Sequence, residues 1–264
     1  MTAELILRQD TDTVARLVLN APETLNALSD AMLAALARHL TALSHDPRIR
    51  VVILAGAGKA FCAGHDLKEM QAARAAADQG RGHFADLFAR CAKVMLSLRA
   101  LPQPVIAEVQ GIATAAGCQL VASCDMAVAA EGARFGVNGV NLGLFCSTPM
   151  VALSRAIPAK QAFEMLTTGG FIDAAEARRI GLVNRSVPAA DLEAATMELA
   201  QTVAAKLTAA VRLGKRAFYH QLPLTEAEAY DHTAAVMVEN MLLPDTDEGI
   251  DAFLQKRRPG WADH

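Results

Sequence analysis

Lys59-Ala60-Phe61-Cys62-Ala63-Gly64-His65-Asp66-Leu67-Lys68-Glu69-Met70 and, about fifty residues further on, Gly111-Ile112-Ala113-Thr114-Ala115-Ala116-Gly117-Cys118-Gln119-Leu120 are the two stretches whose reading decides the fold. Each reads as a buried strand that ends in small residues and then opens a helix. A helix start leaves backbone N–H groups without intrahelical acceptors, and two such groups brought together can hold a developing oxyanion. Ala115, Ala116 and Gly117 are small enough for a ligand to approach the backbone closely.

Working outward, Leu5-Ile6-Leu7 and Val14 to Leu19 flank Asp10-Thr11-Asp12 and predict a hairpin. Pro22 and Asn26 mark a loop. Ser29 then caps a helix with Met32, Leu33, Leu36, Leu40 and Leu43 at helical spacing, ended by Pro47. Val51 to Gly56, Pro104 to Val109 and Met126 to Ala130 are continuous apolar runs of strand length, as in strands buried on both faces. Phe84, Leu87, Phe88, Cys91, Val94, Met95 and Leu98 define an amphipathic helix between the first two. Strand and helix alternate to about residue 190, an α/β core. From 191 to 264 the pattern is helical only, and Met237, Met241, Leu242 and Leu243 suggest an apolar face that seeks a partner.

The chain has 264 residues, 53% of them hydrophobic, and a net charge of −3, which fits one large domain or a domain with a small appendage. Its 25 Lys and Arg are scattered and aromatic residues make up only 5%, against nucleic acid as a partner. No apolar run reaches the ~20 residues of a membrane span, so no membrane partner is expected. Met1 to Asp12 shows no basic region followed by an apolar run, so no signal peptide is expected. The five cysteines, Cys62, Cys91, Cys118, Cys124 and Cys146, lie among apolar residues without a C-x-x-C. They read as small core residues of a reducing compartment, cytoplasmic, or the mitochondrial matrix in a eukaryote. The seven histidines have no metal-ligand spacing, so no metal is expected.

Lys59 to Met70 resembles the K-A-F-x-A-G-x-D-[LI]-K-E-M signature of the crotonase (enoyl-CoA hydratase/isomerase) superfamily. Gly111 to Leu120, with Ala122-Ser123-Cys124-Asp125 and Phe135-Gly136, is similar to its second motif. Ile172 to Ala177, Gly181 to Asn184 and Phe253 to Pro259 are similar to later ones, and the order is kept along nearly the whole chain. Ala63 to Asp66, Thr114 to Asp125 and Gly139 to Pro149 single out one subgroup. The resemblance implies a crotonase-like spiral of ββα units over residues 1–190 and a C-terminal helical region over 191–264 that builds a homotrimer or a dimer of trimers. It implies a coenzyme A thioester as ligand, with coenzyme A part of the substrate and no cofactor bound permanently. By motif, the His65 and Ala116 N–H groups form the oxyanion hole. Ala63, His65, Asp66, Leu67 and Lys68 then lie along the bound substrate with Ala116. Asp66 with Glu69 also matches a capping-box pattern, which makes Asp66 a helix cap rather than a catalytic acid.

The chain departs from the hydratase pattern where two glutamates are expected. The first position holds Gln119 and the second Gly139. Hydration of an unsaturated thioester needs a base on water and a proton delivered to carbon, each typically worth about 10²–10⁴ in rate. Neither residue supplies one. Three chemistries remain open: an acyl-CoA enzyme without standard hydration, a methylmalonyl-CoA-decarboxylase-like activity, and non-catalytic acyl-CoA binding. His65 has the one side chain nearby that titrates near neutrality, and it faces either the acyl group or away from it. Asn138 and Asn141 either orient a ligand group or stabilise turns. Replacing Gln119 and Gly139 together by glutamate is expected to raise crotonyl-CoA hydration.

Overall fold

The computed structural model describes residues 4–261. β1 (Ile6–Thr11) and β2 (Val14–Leu19) pair antiparallel, and the turn falls at Asp12, whose φ is 51°. Ser29 caps α1 (Asp30–Ser44) by accepting the Met32 N–H at 3.1 Å, and the five apolar residues expected inward are buried.

Three ββα repeats follow. The first is β3 (Val51–Gly56), β4 (Ala60–Cys62), α2 (Leu67–Ala73) and α3 (Arg81–Ala100). The second is β5 (Val105–Val109), β6 (Ile112–Thr114) and α4 (Ala116–Ser123). The third is β7 (Met126–Ala130), β8 (Arg134–Gly136), a 3₁₀ turn at Asn138–Leu142 and α5 (Ser147–Ala156). The chain then forms α6 (Ala159–Thr168), β9 (Phe171–Asp173), α7 (Ala174–Arg179), β10 (Arg185–Val187), α8 (Leu192–Ala204), α9 (Thr208–Gln221), α10 (Glu226–Met241) and α11 (Pro244–Leu254). The first strand of each repeat joins a six-stranded sheet, β1-β2-β3-β5-β7-β10, and the second joins a four-stranded one, β4-β6-β8-β9. This is the expected α/β spiral.

The six-stranded sheet is covered on both faces, which is why its central strands are apolar throughout. Leu17, Leu54, Ala107 and Ala129 face the main core with α1, α3 and α4. Val14, Ile53, Ile106 and Val128 face Leu192, Ala200 and Ala204 of α8. The region read as a C-terminal appendage from 191 therefore divides: α8 is a covering layer of the sheet, and the helices that stand off the core begin with α9. α9 is stapled down by Lys215. Its ammonium donates to Asp125 at 2.7 Å and to the Leu98 and Gln103 carbonyls at 3.0 and 2.9 Å. Tyr219, one turn on, donates to the other Asp125 oxygen at 2.7 Å. α10 buries none of its residues, and Met237, Met241, Leu242, Phe253 and Leu254 on α10, α11 and the turn between them are exposed.

Candidate active site

The two strand-to-helix turns converge. β4 and β6 are parallel neighbours, so their C-terminal ends, and the helix starts beyond them, lie side by side. Gly64 carries φ +90°, and a Cβ there would stand 2.9 Å from the Ala115 Cβ and 3.3 Å from the Ala116 nitrogen. Only glycine permits that approach. Ala115 is held at φ 50°, ψ −119°, a conformation that costs an alanine on the order of 1–3 kcal/mol. This places Ala116 at the first position of α4, where its N–H has no intrahelical acceptor. Gly117 locks α4 against β4, since a Cβ there would lie 2.0 Å from the Cys62 carbonyl oxygen. Among the described residues neither the His65 nor the Ala116 N–H has an acceptor within the chain.

A third segment borders this pair. Leu28 N–H donates to the Gly64 carbonyl at 2.7 Å, and Ala63 N–H donates to Leu25 at 3.0 Å. The segment is positioned by Asn26, fully buried, whose amide accepts from Ala21 N–H and donates to the Ala57 and Ala60 carbonyls. Sequence reading took Asn26 only as a loop marker. Its role is set by Ala21 nearby and by Ala57 and Ala60 more than thirty residues on, and no local pattern announces it.

Asp66 caps α2, accepting from Lys68 N–H at 2.8 Å and Glu69 N–H at 3.3 Å. The reciprocal half of a capping box is absent: Glu69 instead accepts the Asp30 N–H at 2.8 Å, tying α2 to the start of α1. Leu67 and Lys68 are exposed at the start of α2. Ala116 is fully buried at the floor.

The His65 imidazole turns toward Leu28 and α3. Its Nδ1 lies 3.4 Å from the Leu28 carbonyl, and the ring meets Phe88 edge-on at 5.7 Å. A carbonyl can only accept, so Nδ1 carries the hydrogen and Nε2 is left as a lone pair, buried and without a partner. Burial pushes the imidazole pKa down, opposed by the Leu28 carbonyl and by Asp30. The sign for stability follows from linkage. As pH falls below ~6.5 the unfolded chain protonates at this position before the folded chain does, so stability is lost as pH drops through that window. His39 is shifted in the same direction by burial. The denaturant midpoint of the wild type should therefore fall more steeply between pH 7 and pH 5 than that of His65→Gln, and parallel profiles would show that His65 stays uncharged in neither state preferentially.

Gln119 is buried at 4% exposure, with its Oε1 lacking a partner. Gly139 is buried in the 3₁₀ turn, and a Cβ on it would lie 2.5 Å from the Leu144 carbonyl oxygen and 2.8 Å from Cys146 Sγ. The expectation that glutamates at 119 and 139 would raise hydration meets a steric obstacle at 139. Backbone fills the space that a side chain at 139 needs. The two asparagines are engaged elsewhere: Asn138 accepts the Thr114 hydroxyl at 2.6 Å, and Asn141 donates to the Gly169 carbonyl at 3.3 Å. The Asn141 amide also stands where a Cβ on Gly169 would be, 2.7 Å away. Burial pushes the Cys146 thiol up and that of Cys118 up to about 12, so both remain protonated at neutral pH. The candidate site thus offers two backbone donors and two unpartnered neutral acceptors, His65 Nε2 and Gln119 Oε1, with no carboxylate at positions 119 and 139.

A spiral of ββα repeats in which β4 and β6 run side by side into helix starts is the crotonase-type fold. The enoyl-CoA hydratase/isomerase family profile matches residues 9–264, and the chain belongs to that family of acyl-CoA thioester enzymes. It is 48% identical over 251 residues to human enoyl-CoA hydratase domain-containing protein 3, mitochondrial, covering 95% of this chain and 81% of that one. The mouse protein of the same name is 47% identical, with 95% and 82% covered. Among solved structures, a Mycobacterium smegmatis enoyl-CoA hydratase superimposes with a TM-score of 0.93 at 52% identity, over 97% of this chain and 98% of that one. The human domain-containing protein 3 does so at 0.92 and 46%, over 97% and 100%. The domain-containing protein 3 relatives are those of the subgroup that the sequence motifs single out.

Proposed function

We propose that this chain binds acyl-CoA thioesters with the carbonyl oxygen between the His65 and Ala116 N–H groups, stabilises an enolate there, and does not hydrate enoyl-CoA efficiently. The observation that carries this reading is Gly139. The chain lacks the second glutamate, and the Leu144 carbonyl and Cys146 close the space where it would stand. With Gln119 at the other position, no group is placed to deliver a proton to carbon. Two backbone donors remain, enough to lower the energy of a thioester enolate.

Purified protein should bind butyryl-CoA yet turn over crotonyl-CoA orders of magnitude more slowly than a hydratase with both carboxylates. Gln119→Glu with Gly139→Glu should show no gain in hydration and a lower melting temperature. Fast hydration by the wild type, or a gain in a folded double variant, would sink this reading.

A second reading is decarboxylation of a methylmalonyl-type thioester, favoured by the neutral groups around the hole. The bond between the α-carbon and the carboxylate breaks, CO₂ leaves, and the electron pair enters the enolate held by the two N–H groups. Water then protonates the α-carbon. CO₂ release from methylmalonyl-CoA tests it directly. Binding with no turnover of either thioester would assign the chain to acyl-CoA sequestration.

The exposed apolar residues of α10 and α11 support a homotrimer or a dimer of trimers. Sedimentation should give a mass of at least three chains, and a monomer at micromolar concentration would refute that assembly. The free cysteines and the mitochondrial relatives support a reducing compartment, the cytoplasm or the mitochondrial matrix. No helix among the described residues is long and apolar enough to cross a membrane.

A further inference from the structure

The two N–H groups of the hole are aimed by different means. A peptide unit is planar and trans, so its carbonyl and its N–H point in opposite directions, and whatever holds the one aims the other. The Ala116 N–H shares a peptide with the Ala115 carbonyl, which accepts the Gln119 N–H at 3.1 Å. α4 thus aims its own first donor. The His65 N–H shares a peptide with the Gly64 carbonyl, and α2 begins only at Leu67, with Asp66 as its cap. No helix holds that peptide. Gly64 stands at φ +90°, with no Cβ to bar a rotation that would turn the carbonyl toward the hole and the N–H away. Among the described residues, one backbone N–H fixes the Gly64 carbonyl: that of Leu28, at 2.7 Å.

Leu28 can hold the peptide only if the segment before it is rigid. Leu25 and Asn26 stand at φ 56° and 55°, two successive left-handed residues. Asparagine tolerates that conformation and leucine rarely adopts it. The Asn26 side chain keeps the pair in place. Its Oδ1 accepts the Ala21 N–H at 2.9 Å, and its own backbone N–H donates to the Ala21 carbonyl at 2.9 Å. Its Nδ2 donates to the Ala57 and Ala60 carbonyls at 2.9 and 2.8 Å. Ala60 opens β4, the strand that leads to Gly64, so the amide ties the brace to the strand that carries the hole. Gly56 leaves the room, since a Cβ there would lie 3.1 Å from Nδ2. Both amide hydrogens are taken by these carbonyls and the residue is fully buried, so Asn26 acts through the backbone and not on a ligand.

We propose that Asn26 is a positioning residue of the oxyanion hole. Through the Leu28 N–H it selects the orientation of the Gly64–His65 peptide in which the His65 N–H faces the thioester oxygen. The inference rests on the reading of His65 and Ala116 as the hole. With the peptide turned over, the Gly64 carbonyl would face the enolate oxygen, and a donor would be exchanged for a repelling dipole. Ala116 keeps its N–H in either case.

The test uses acetoacetyl-CoA, a β-keto thioester that loses its α-proton to give an enolate with near-ultraviolet absorption. The pH at which half of the bound ligand is enolate reports on the hole, and for the wild type it should lie below that of free acetoacetyl-CoA. Asn26→Asp keeps the shape and the acceptor for Ala21 but lacks both amide donors. In this variant that pH should rise by about one to two pH units, a loss of enolate stabilisation of roughly 10- to 100-fold. Replacing Leu28 by its α-hydroxy acid removes the N–H with every side chain in place, and it should give the same rise even if Asn26→Asp fails to fold. Lys215→Met, which loosens α9 and not the brace, should keep the wild-type value, so a general loss of stability is told apart from a lost donor. If the wild type leaves the acetoacetyl-CoA titration where it stands in free solution, the oxyanion reading falls and this proposal with it. If the wild type lowers it, and folded Asn26→Asp or the Leu28 α-hydroxy-acid protein lowers it equally, the hole stands and the role of Asn26 is overturned.

Discussion

Replacing Ala116 by proline is expected to lower turnover of any thioester the chain processes by about 10²–10³, the usual cost of losing one oxyanion donor. The substitution removes the N–H directly. Position 116 is the first residue of α4, where a helix tolerates proline because that N–H has no helical partner in any case. The added ring would also press on Gly64, whose hypothetical Cβ already approaches the Ala116 nitrogen to 3.3 Å. The fold should therefore survive while the hole does not. The check is single-turnover kinetics on whichever thioester the wild type consumes, with circular dichroism to establish folding. If the chain only sequesters acyl-CoA, the same variant should lose affinity for the thioester more than for free coenzyme A, which has no carbonyl at the hole. A folded Ala116→Pro protein indistinguishable from wild type in both assays would remove Ala116 from the site.

Lys215→Met is expected to destabilise the protein by about 3–5 kcal/mol, the range for breaking a buried ion pair by removing one partner. The side chains of Lys215 and Asp125 are only 6% and 13% exposed, so the carboxylate left behind cannot recover its hydration. Asp125 keeps the Val105 N–H at 2.6 Å and the Tyr219 hydroxyl, which limits the loss. The Leu98 and Gln103 carbonyls lose their donor altogether. Urea unfolding followed by fluorescence and by circular dichroism measures the change. Because Lys215 fastens α9, the variant should also bring early protease cleavage within the segment from α9 to α11. A loss below about 1 kcal/mol would mean that α9 is held by its apolar contacts through Leu213 and Ala217.

Much of the fold was legible in the chain because its signals are local. Val51 to Gly56 and Met126 to Ala130 read as strands buried on both faces, and α8 on the far side of the sheet supplies the reason. Ser29 and Asp66 were legible as caps because a short side-chain oxygen reaches the N–H groups two or three residues ahead of it. The short strands β8 and β9 carried no legible signal. Each has three residues and is held by pairing to another strand rather than by its own pattern. The boundary at 190 followed from the end of strand-like sequence, whereas the packing boundary falls after α8, since a helix period does not say which sheet face it covers.

The candidate site divides in the same way. Small residues before two helix starts pointed to backbone donors, and Gln119 and Gly139 were read from residue type as standing where the resemblance expects carboxylates. The direction of the His65 ring, the engagement of Asn138 and Asn141 with Thr114 and Gly169, and the service of Glu69 to α1 instead of Asp66 depend on neighbours many residues away. So does the closure of the space at Gly139. A missing side chain reads as an opening in one dimension, but the Leu144 carbonyl fills it in three. The chain thus fixes which groups exist and in what order, and the packing of distant segments fixes which of them retain a free donor, a lone pair or room for a ligand.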